Sequence, residues 1–437
     1  VQYWDLKEQV IDRSAADVSS TADDVANTVE LSVKRHMVAD VPVSCFLSGG
    51  LDSSLISVLA KKSNEHLSTY TIGTEDKDKS VEKMPDDERY AAMLAQQFGF
   101  NHHVITISPD IIKDLPFMVR HLDEPIGDPA AINTYLICKA AREKGVKVLL
   151  SGMGADEIFF GYRRQKATMM ALRYNRLPGP LKYIIAKTVN LLPVKISGKG
   201  FKFGRWAKRF ISFATMPLNE AYMRSYSYYD TNGLKDLVKK EYWAGVDAIN
   251  KEHADIFNAK FKGDAINQIC NTDISMFMLG LNLTYSDRAS MAASVEVRVP
   301  FIDRLVVTKA MEIPGELKIR KGVSKFILKK AAEKWLPRDI IYRPKASFGA
   351  PIRSWISNDL RLMVDELLSE ESVNKRGLVN YNIVKKLITD DRNGTADNAY
   401  QIYQLLTLEL WCREYIDEHP GYQTLNDQIN EKQQYIS

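Results

Sequence analysis

The chain has 437 residues, 45% of them apolar, which is enough for large cores and more than one domain. A formal net charge of +4 is too small to mark a nucleic-acid binder, no apolar run approaches the length of a membrane span, and no signal peptide opens the chain. The four cysteines (Cys45, Cys138, Cys270 and Cys412) are far apart and form no C-x-x-C pair, which argues against zinc, iron–sulfur clusters and a disulfide framework. They read as small core residues, and the expected compartment is cytoplasmic.

Residues 1–20 are polar around an isolated aromatic pair, Tyr3 and Trp4, and read as a linker arm. Thr21 can cap a helix reaching Met37, with Val25, Val29, Val33 and Met37 on one face. The apolar run 41–47 predicts a strand, and a helix follows over 53–62. Residues 68–73 predict a second strand. A helix near 86–98 follows, with Tyr90, Met93, Leu94 and Phe98 inward. Residues 103–107 predict a third strand, 109–121 and 130–144 two helices, and 146–150 a fourth strand. Strands alternating with helices predict an α/β fold, a parallel sheet with helices on both faces. After residue 160 the strand pattern stops, and helical periodicity continues to about 417. The expected organisation is a linker arm (1–20), an α/β core (21–160), a helical extension (161–417) and a polar tail (418–437).

Ligands of such sheets bind beyond the carboxyl ends of the strands. The first loop there is Ser48-Gly49-Gly50-Leu51-Asp52-Ser53-Ser54. A strand, a glycine turn and a helix N-terminus together aim free backbone N–H groups at one point, an anion site. Gly49 and Gly50 allow close approach, and the hydroxyls of Ser48, Ser53 and Ser54 can donate to phosphate oxygens. Asp52 would repel a phosphate unless a cation lay between them, so it reads as a Mg²⁺ ligand. The second loop, Ser151-Gly152-Met153-Gly154-Ala155-Asp156-Glu157, repeats this logic, with Asp156 as a second Mg²⁺ ligand. By itself it could equally be a helix cap.

The string S-G-G-L-D-S-S resembles the pyrophosphate-binding loop of the ATP pyrophosphatase superfamily, which cuts ATP between its α and β phosphates. Further motifs narrow the resemblance. They are the second loop with Gly161-Tyr162, Asp123-Glu124-Pro125 with Gly127-Asp128-Pro129, Asp287-Arg288 with Met291, residues 296–303, and Arg343-Pro344-Lys345 with Phe348-Gly349. Together they resemble the synthetase domain of glutamine-dependent asparagine synthetases over about residues 1–415. The resemblance implies an ATP-dependent ligase that adenylates a carboxylate, releases pyrophosphate and lets ammonia displace AMP. It implies ATP and Mg²⁺ as cofactors. Ser48, Gly49, Gly50, Asp52, Ser53, Ser54 and Ser151 would bind the phosphates, and Leu47, Ile72, Gly73 and Gly152 would line the adenosine pocket. Asp52 and Asp156 would hold the metal. Lys345 would be the catalytic cation, with Lys325 a weaker candidate of the same kind. Glu296 and Arg298 read as a buried structural ion pair in preference to the alternative, substrate ligands. Tandem His102 and His103 point to opposite faces of a strand, which argues against a metal there.

Two departures from the family pattern bear on substrate. The family's usual Glu in the second loop is Met153 here, which cannot accept a proton. Glu157, Glu124 and Tyr162 are the nearby candidates for that work, and Asp287 and Arg288 complete the acceptor-site candidates. The acceptor is then aspartate or, alternatively, a sugar carboxylate of the kind found in surface polysaccharides. A non-catalytic nucleotide-binding module is the third reading. The family's N-terminal glutaminase domain is not in this sequence, so ammonia is expected from a glutaminase domain of a longer protein or from a partner. A homodimer is compatible with the sequence, and nucleic acid is not expected as a partner. Residues 163–210 hold many Lys and Arg among apolar residues. The preferred reading is a pair of amphipathic helices with solvated basic faces covering the core; the other is peripheral contact with anionic lipid, or with a phosphate-bearing acceptor.

Overall fold

The computed structural model describes residues 4–6, 17–74, 87–107, 110–192, 195–196, 199–200, 202–343 and 350–417. The chain divides into two compact units, each assembled from separated stretches. The first comprises Val1–Ser108, Thr134–Lys166 and Asp255–Phe348, and the second Pro109–Asn133, Ala167–Ala254 and Gly349–Ser437. No helix of the described residues is long and apolar enough to cross a membrane.

The first unit is built on a five-stranded, wholly parallel sheet: β1 (Val43–Phe46), β2 (Ser68–Thr74), β3 (Asn101–Ile107), β4 (Val148–Leu150) and β5 (Glu296–Arg298). Their order is β3-β2-β1-β4-β5. Cys45 pairs with Thr69 on one side and Leu150 on the other. β1 and β4 are buried on both faces, as expected of inner strands in a parallel sheet. The direction of winding reverses between β1 and β4, so the chain leaves their carboxyl ends in opposite senses and opens a crevice there. This is the α/β architecture that alternating strands and helices predict.

The helices around the sheet bury the predicted faces with small differences. α1 (Val18–His36) buries Val25, Val29 and Val33. Its cap is Asp17, whose carboxylate accepts from the Ser20 N–H at 2.8 Å, and Thr21 instead donates to the Asp17 carbonyl. α2 (Leu51–Lys61) buries every residue from Ser53 to Ala60. α3 (Asp87–Phe98) buries Ala91, Leu94 and Ala95, half-buries Tyr90 and Phe98, and turns Met93 to solvent. In the arm, Leu6 is buried, and Asp5 pairs with Lys260 at 2.5 Å. Tyr3 and the tail 418–437 lie outside the described residues.

β5 departs from the expectation that strands end by residue 160. It is three residues long with a single apolar position, and it lies at the edge beside β4. Neither length nor alternation gives such a strand a periodic signal. Glu296 and Arg298 do pair, at 2.7 Å, but on the surface, with Glu296 exposed. Arg298 also donates to the carbonyls of His36 and Val38, so its role is to hold the end of α1 to the sheet edge. His102 bonds Thr69 at 3.0 Å while His103 stacks on Tyr70, two separate neighbours for the two rings.

Among the described residues, the second unit is helical apart from the two-stranded pairing of Lys195–Ile196 with Lys199–Gly200 and an isolated bridge between Val238 and Val379. Its long helix Ala399–Tyr415 buries Ile402, Tyr403, Leu405, Leu406 and Leu410. Arg376 clamps that helix through Glu409 and Asp417. All four cysteines are buried free thiols, and burial pushes Cys45, Cys138 and Cys270 up to about 12, which makes them inert core residues.

Candidate active site

Both predicted loops sit where the winding reverses. The first leaves β1 at Leu47, whose N–H donates to the Tyr70 carbonyl at 2.8 Å and whose own carbonyl accepts the Thr71 hydroxyl. Gly49 adopts φ +64°, and a Cβ there would meet Tyr90 Cβ at 2.6 Å and the Ala91 nitrogen at 2.8 Å, so glycine is required. Ser53 ties the turn together: its hydroxyl accepts from the Ser48 N–H at 3.1 Å and shares a hydrogen bond with the Ser48 hydroxyl at 2.9 Å. Ser54, next in α2, is fully buried. Gly50 caps α2 without a side chain, leaving the first N–H groups of a nearly buried 11-residue helix at the crevice. In β2, Gly73 is buried and Ile72 half-buried.

The second loop packs directly on the first. A Cβ on Gly152 would lie 2.6 Å from the Ser53 nitrogen and 2.8 Å from the Asp52 carbonyl carbon. Ser151 donates its N–H to Arg298 of β5 at 2.8 Å, and its hydroxyl accepts from the Met153 N–H at 3.2 Å. Asp156 and Glu157 lie in the first turn of the short helix Ala155–Ile158.

This packing brings Asp52 and Asp156 to one centre, and the group between them is Lys325. Its Nζ is 2.5 Å from Asp52 Oδ2 and 2.7 Å from Asp156 Oδ1. Lys325 is 7% exposed and has a left-handed backbone, φ +54°, after the hairpin Ile319–Arg320/Val323–Ser324. A long side chain in that conformation is uncommon and persists only where its surroundings enforce it. Burial disfavours the charge on Lys325, but Asp156 and Asp52 outweigh it and hold the ammonium well above the ordinary lysine range. Gly161 completes the centre, since a Cβ there would run into the Asp156 carboxylate and the Lys325 stem.

A second polar cluster adjoins Asp156. The Tyr162 hydroxyl donates to Glu157 Oε1 at 2.6 Å, and Asn282 Nδ2 donates to the same oxygen at 2.6 Å. Asn282 comes from an 11-residue π-helix, Asp273–Leu283, a geometry concentrated at functional sites. The Arg164 guanidinium lies between the rings of Tyr162 and Phe277, 3.9 and 4.1 Å from their centroids, and pairs with Asp273 at 3.0 Å. Gln165 joins the two sides by accepting from the Tyr162 N–H and donating to Asp273. Burial, and then the neighbouring Asp156 charge, push Glu157 up to about 7, against the opposing Tyr162 hydrogen bond.

Residues 24–413 match the protein family described as asparagine synthase. The chain belongs to the asparagine synthase family. Over 393 residues it is 32% identical to asparagine synthetase [glutamine-hydrolyzing] 1 of Bacillus subtilis, covering 89% of this chain and 58% of that protein. It is 30% identical over 398 residues to a putative asparagine synthetase [glutamine-hydrolyzing] of Mycobacterium tuberculosis, covering 90% and 58%. A more distant likeness, 22% over 421 residues, covering 88% and 61%, is to amidase chyE of Penicillium rubens. The chain thus spans under two thirds of the length of these curated relatives.

Within this chain the fold gathers Asp52, Asp156, Glu157 and Tyr162 in the first unit. Glu124 falls in the second unit and is exposed, and Asp287 and Arg288 are exposed on the helix after the π-helix, Thr284–Ala292. Lys345 lies outside the described residues; it follows two positions after Arg343, which is bound to the first loop. Arg343 Nη1 donates to the Gly49 carbonyl at 2.8 Å, while the guanidinium pairs with Asp87 and stacks on Tyr90. Sequence reasoning gave Arg343 no separate role and ranked Lys325 low. Its motif, Arg-Pro-Lys, was the only signal for Arg343, and the basic stretch 318–330 gave Lys325 only a weak one. Asn282 had none, because nothing in sequence marks a π-helix.

The raised pKa of Glu157 predicts a pH effect. A carboxyl that binds its proton more tightly when folded stabilises the fold below its unfolded pKa and loses that contribution as pH rises toward about 7. Glu157→Gln keeps the shared oxygen but does not titrate. Between about pH 4.5 and 7, the melting temperature of the variant should therefore rise relative to wild type. An offset constant across that range would contradict the raised pKa.

Proposed function

We propose that this chain is an ATP- and Mg²⁺-dependent amide-forming ligase. Its reaction begins when a substrate carboxylate oxygen bonds to the α-phosphorus of ATP and the bond to the bridging oxygen breaks. Pyrophosphate leaves, and ammonia then bonds to the acyl carbon, displacing AMP and giving up a proton. One observation carries the reading: two carboxylates and a lysine meet at the N-terminus of α2, beyond adjacent parallel strands.

The donor set fits the metal. Mg²⁺ is commonly held by one or two carboxylates together with phosphate oxygens, and Asp52 and Asp156 already approach one point. When bound, Mg²⁺ would neutralise phosphate charge as pyrophosphate departs. The N–H groups at the start of α2 and the Ser48–Ser53 pair bind the leaving phosphates, and Leu47, Ile72, Gly73 and Gly152 border the nucleoside. Lys325 keeps the two carboxylates from repelling each other, so they stay poised. Lys345 is proposed as the cation meeting charge on phosphorus and on the tetrahedral carbon. Glu157, Tyr162 and Asn282 lie on the acceptor side of Asp156. Ammonia is supplied by a glutaminase domain or partner, in keeping with the glutamine-hydrolysing relatives.

The acceptor in this proposal is aspartate, as for the similar asparagine synthetases. Met153 favours a second reading, amidation of a sugar carboxylate, because the family's usual acid is missing where ammonia would attack. Mass spectrometry of products formed from Mg-ATP, ammonium and a panel of acids separates the two. Asparagine formed from aspartate supports the first; an amide only from nucleotide-linked uronic acids supports the second. ATP binding with no acceptor-dependent pyrophosphate release from any acid would favour a binding module.

A further inference from the structure

The basic stretch after the active-site loops has a property the sequence left undecided. From residue 158 to 219 the chain carries 13 Lys and Arg and no Asp or Glu. The remaining 46 basic residues accompany all 55 acidic ones, so the rest of the chain has a net charge of −9. The positive charge is therefore concentrated in one segment of a nearly neutral protein.

Two helices of that segment, Gly179–Asn190 and Lys202–Ile211, pack against each other in the second unit. Ile185, Phe210 and Ile211 turn toward a small core of Ala167, Ala171, Tyr174 and Phe213. The other apolar residues do not. Gly179–Asn190 has no buried residue, and Leu181, Ile184 and, just past its end, Leu191 are 44%, 59% and 79% exposed. Their i, i+3 and i+10 spacing sets them on one stripe. On the second helix Phe203 and Trp206, three residues apart, are 63% and 50% exposed. Helices that merely cover a core would turn these residues inward and leave only lysines outside. Here Ile185, Phe210 and Ile211 cover the core while a second set of apolar residues lies outside with the exposed Lys187, so solvated basic faces alone do not describe the pair.

We propose that this helix pair is a membrane-docking surface, with Leu181, Ile184, Leu191, Phe203 and Trp206 entering the headgroup boundary of an anionic bilayer. Charge complementarity selects that occupant. Among the described residues, Lys187 and Lys208 form no ion pair, and Lys187, exposed one turn from Ile184, can reach anionic headgroups while its stem stays in the apolar layer, with Lys208 adding to the positive field of the segment. Trp and Phe are favoured at that depth. A second copy of the chain would bring the same uncompensated positive charge against itself, which disfavours self-association through this face.

Flotation of the full chain with vesicles tests this, using phosphatidylcholine alone and with about 30% phosphatidylglycerol. Binding is expected only to the anionic vesicles, falling at least about tenfold between about 50 and 500 mM salt. Lys187→Glu with Lys208→Glu, and separately Ile184→Asn with Trp206→Ser, should each reduce it at least about tenfold with an unchanged melting temperature. Trp206→Phe should keep binding while losing the vesicle-induced blue shift in fluorescence, whose other tryptophans lie outside the face. No binding to anionic vesicles, equal binding to both compositions, or binding unaffected by both double substitutions would overturn the proposal. So would a dimer in light scattering that the same substitutions dissociate, since a second copy would then own the face.

Discussion

Lys325→Met is expected to reduce acceptor-dependent pyrophosphate release at least about 100-fold and to lower the melting temperature by about 10 °C. The lysine is nearly buried and bonds two carboxylates at 2.5 and 2.7 Å. Removing one member of a buried charge cluster leaves the others uncompensated, a loss of about 3–5 kcal/mol. Asp52 and Asp156 would then repel each other, and their loops would separate. Differential scanning calorimetry and a turnover assay read the two effects. A variant with wild-type stability and turnover would mean that the carboxylates do not depend on Lys325.

Gly152→Ala should reduce turnover by about 100-fold for a steric reason, with a smaller loss of stability, about 1–3 kcal/mol. The added methyl would fall 2.6 Å from the Ser53 nitrogen and 3.0 Å from Asp52 Cβ. Most of these neighbours are backbone atoms of the first loop, which cannot rotate aside as a side-chain end can. The loops must part, and Asp156 moves away from Asp52. Steady-state kinetics against ATP measure the result, and turnover within about threefold of wild type would show that the contact is not needed for catalysis.

The inner strands and the two loops were readable because each follows a compact apolar run and each carries glycines at places where only glycine fits, Gly49 by its φ and Gly152 by its contact. Asp52 and Asp156 were readable as a pair because both loops lie at the same edge of a parallel sheet. The fifth strand was not, being three residues with one apolar position. Lys325 was readable only as a weak candidate, because its importance comes from a hairpin that delivers it across 273 residues of sequence to Asp52. Asn282 was not readable, because a π-helix aims it at Glu157. The outward turn of Trp206 and Ile184 was also hidden, since an amphipathic pattern does not say which side of a helix is covered.

The most direct test is ³¹P NMR of ATP turnover by the full chain with Mg²⁺, ammonium and an active acid, followed alongside Asp52→Asn. AMP and pyrophosphate in equal amounts, dependent on the acid and lost in the variant, are the expected result. ADP and orthophosphate as the products, or AMP and pyrophosphate formed at an unchanged rate by Asp52→Asn, would contradict an adenylating centre built on Asp52 and Asp156.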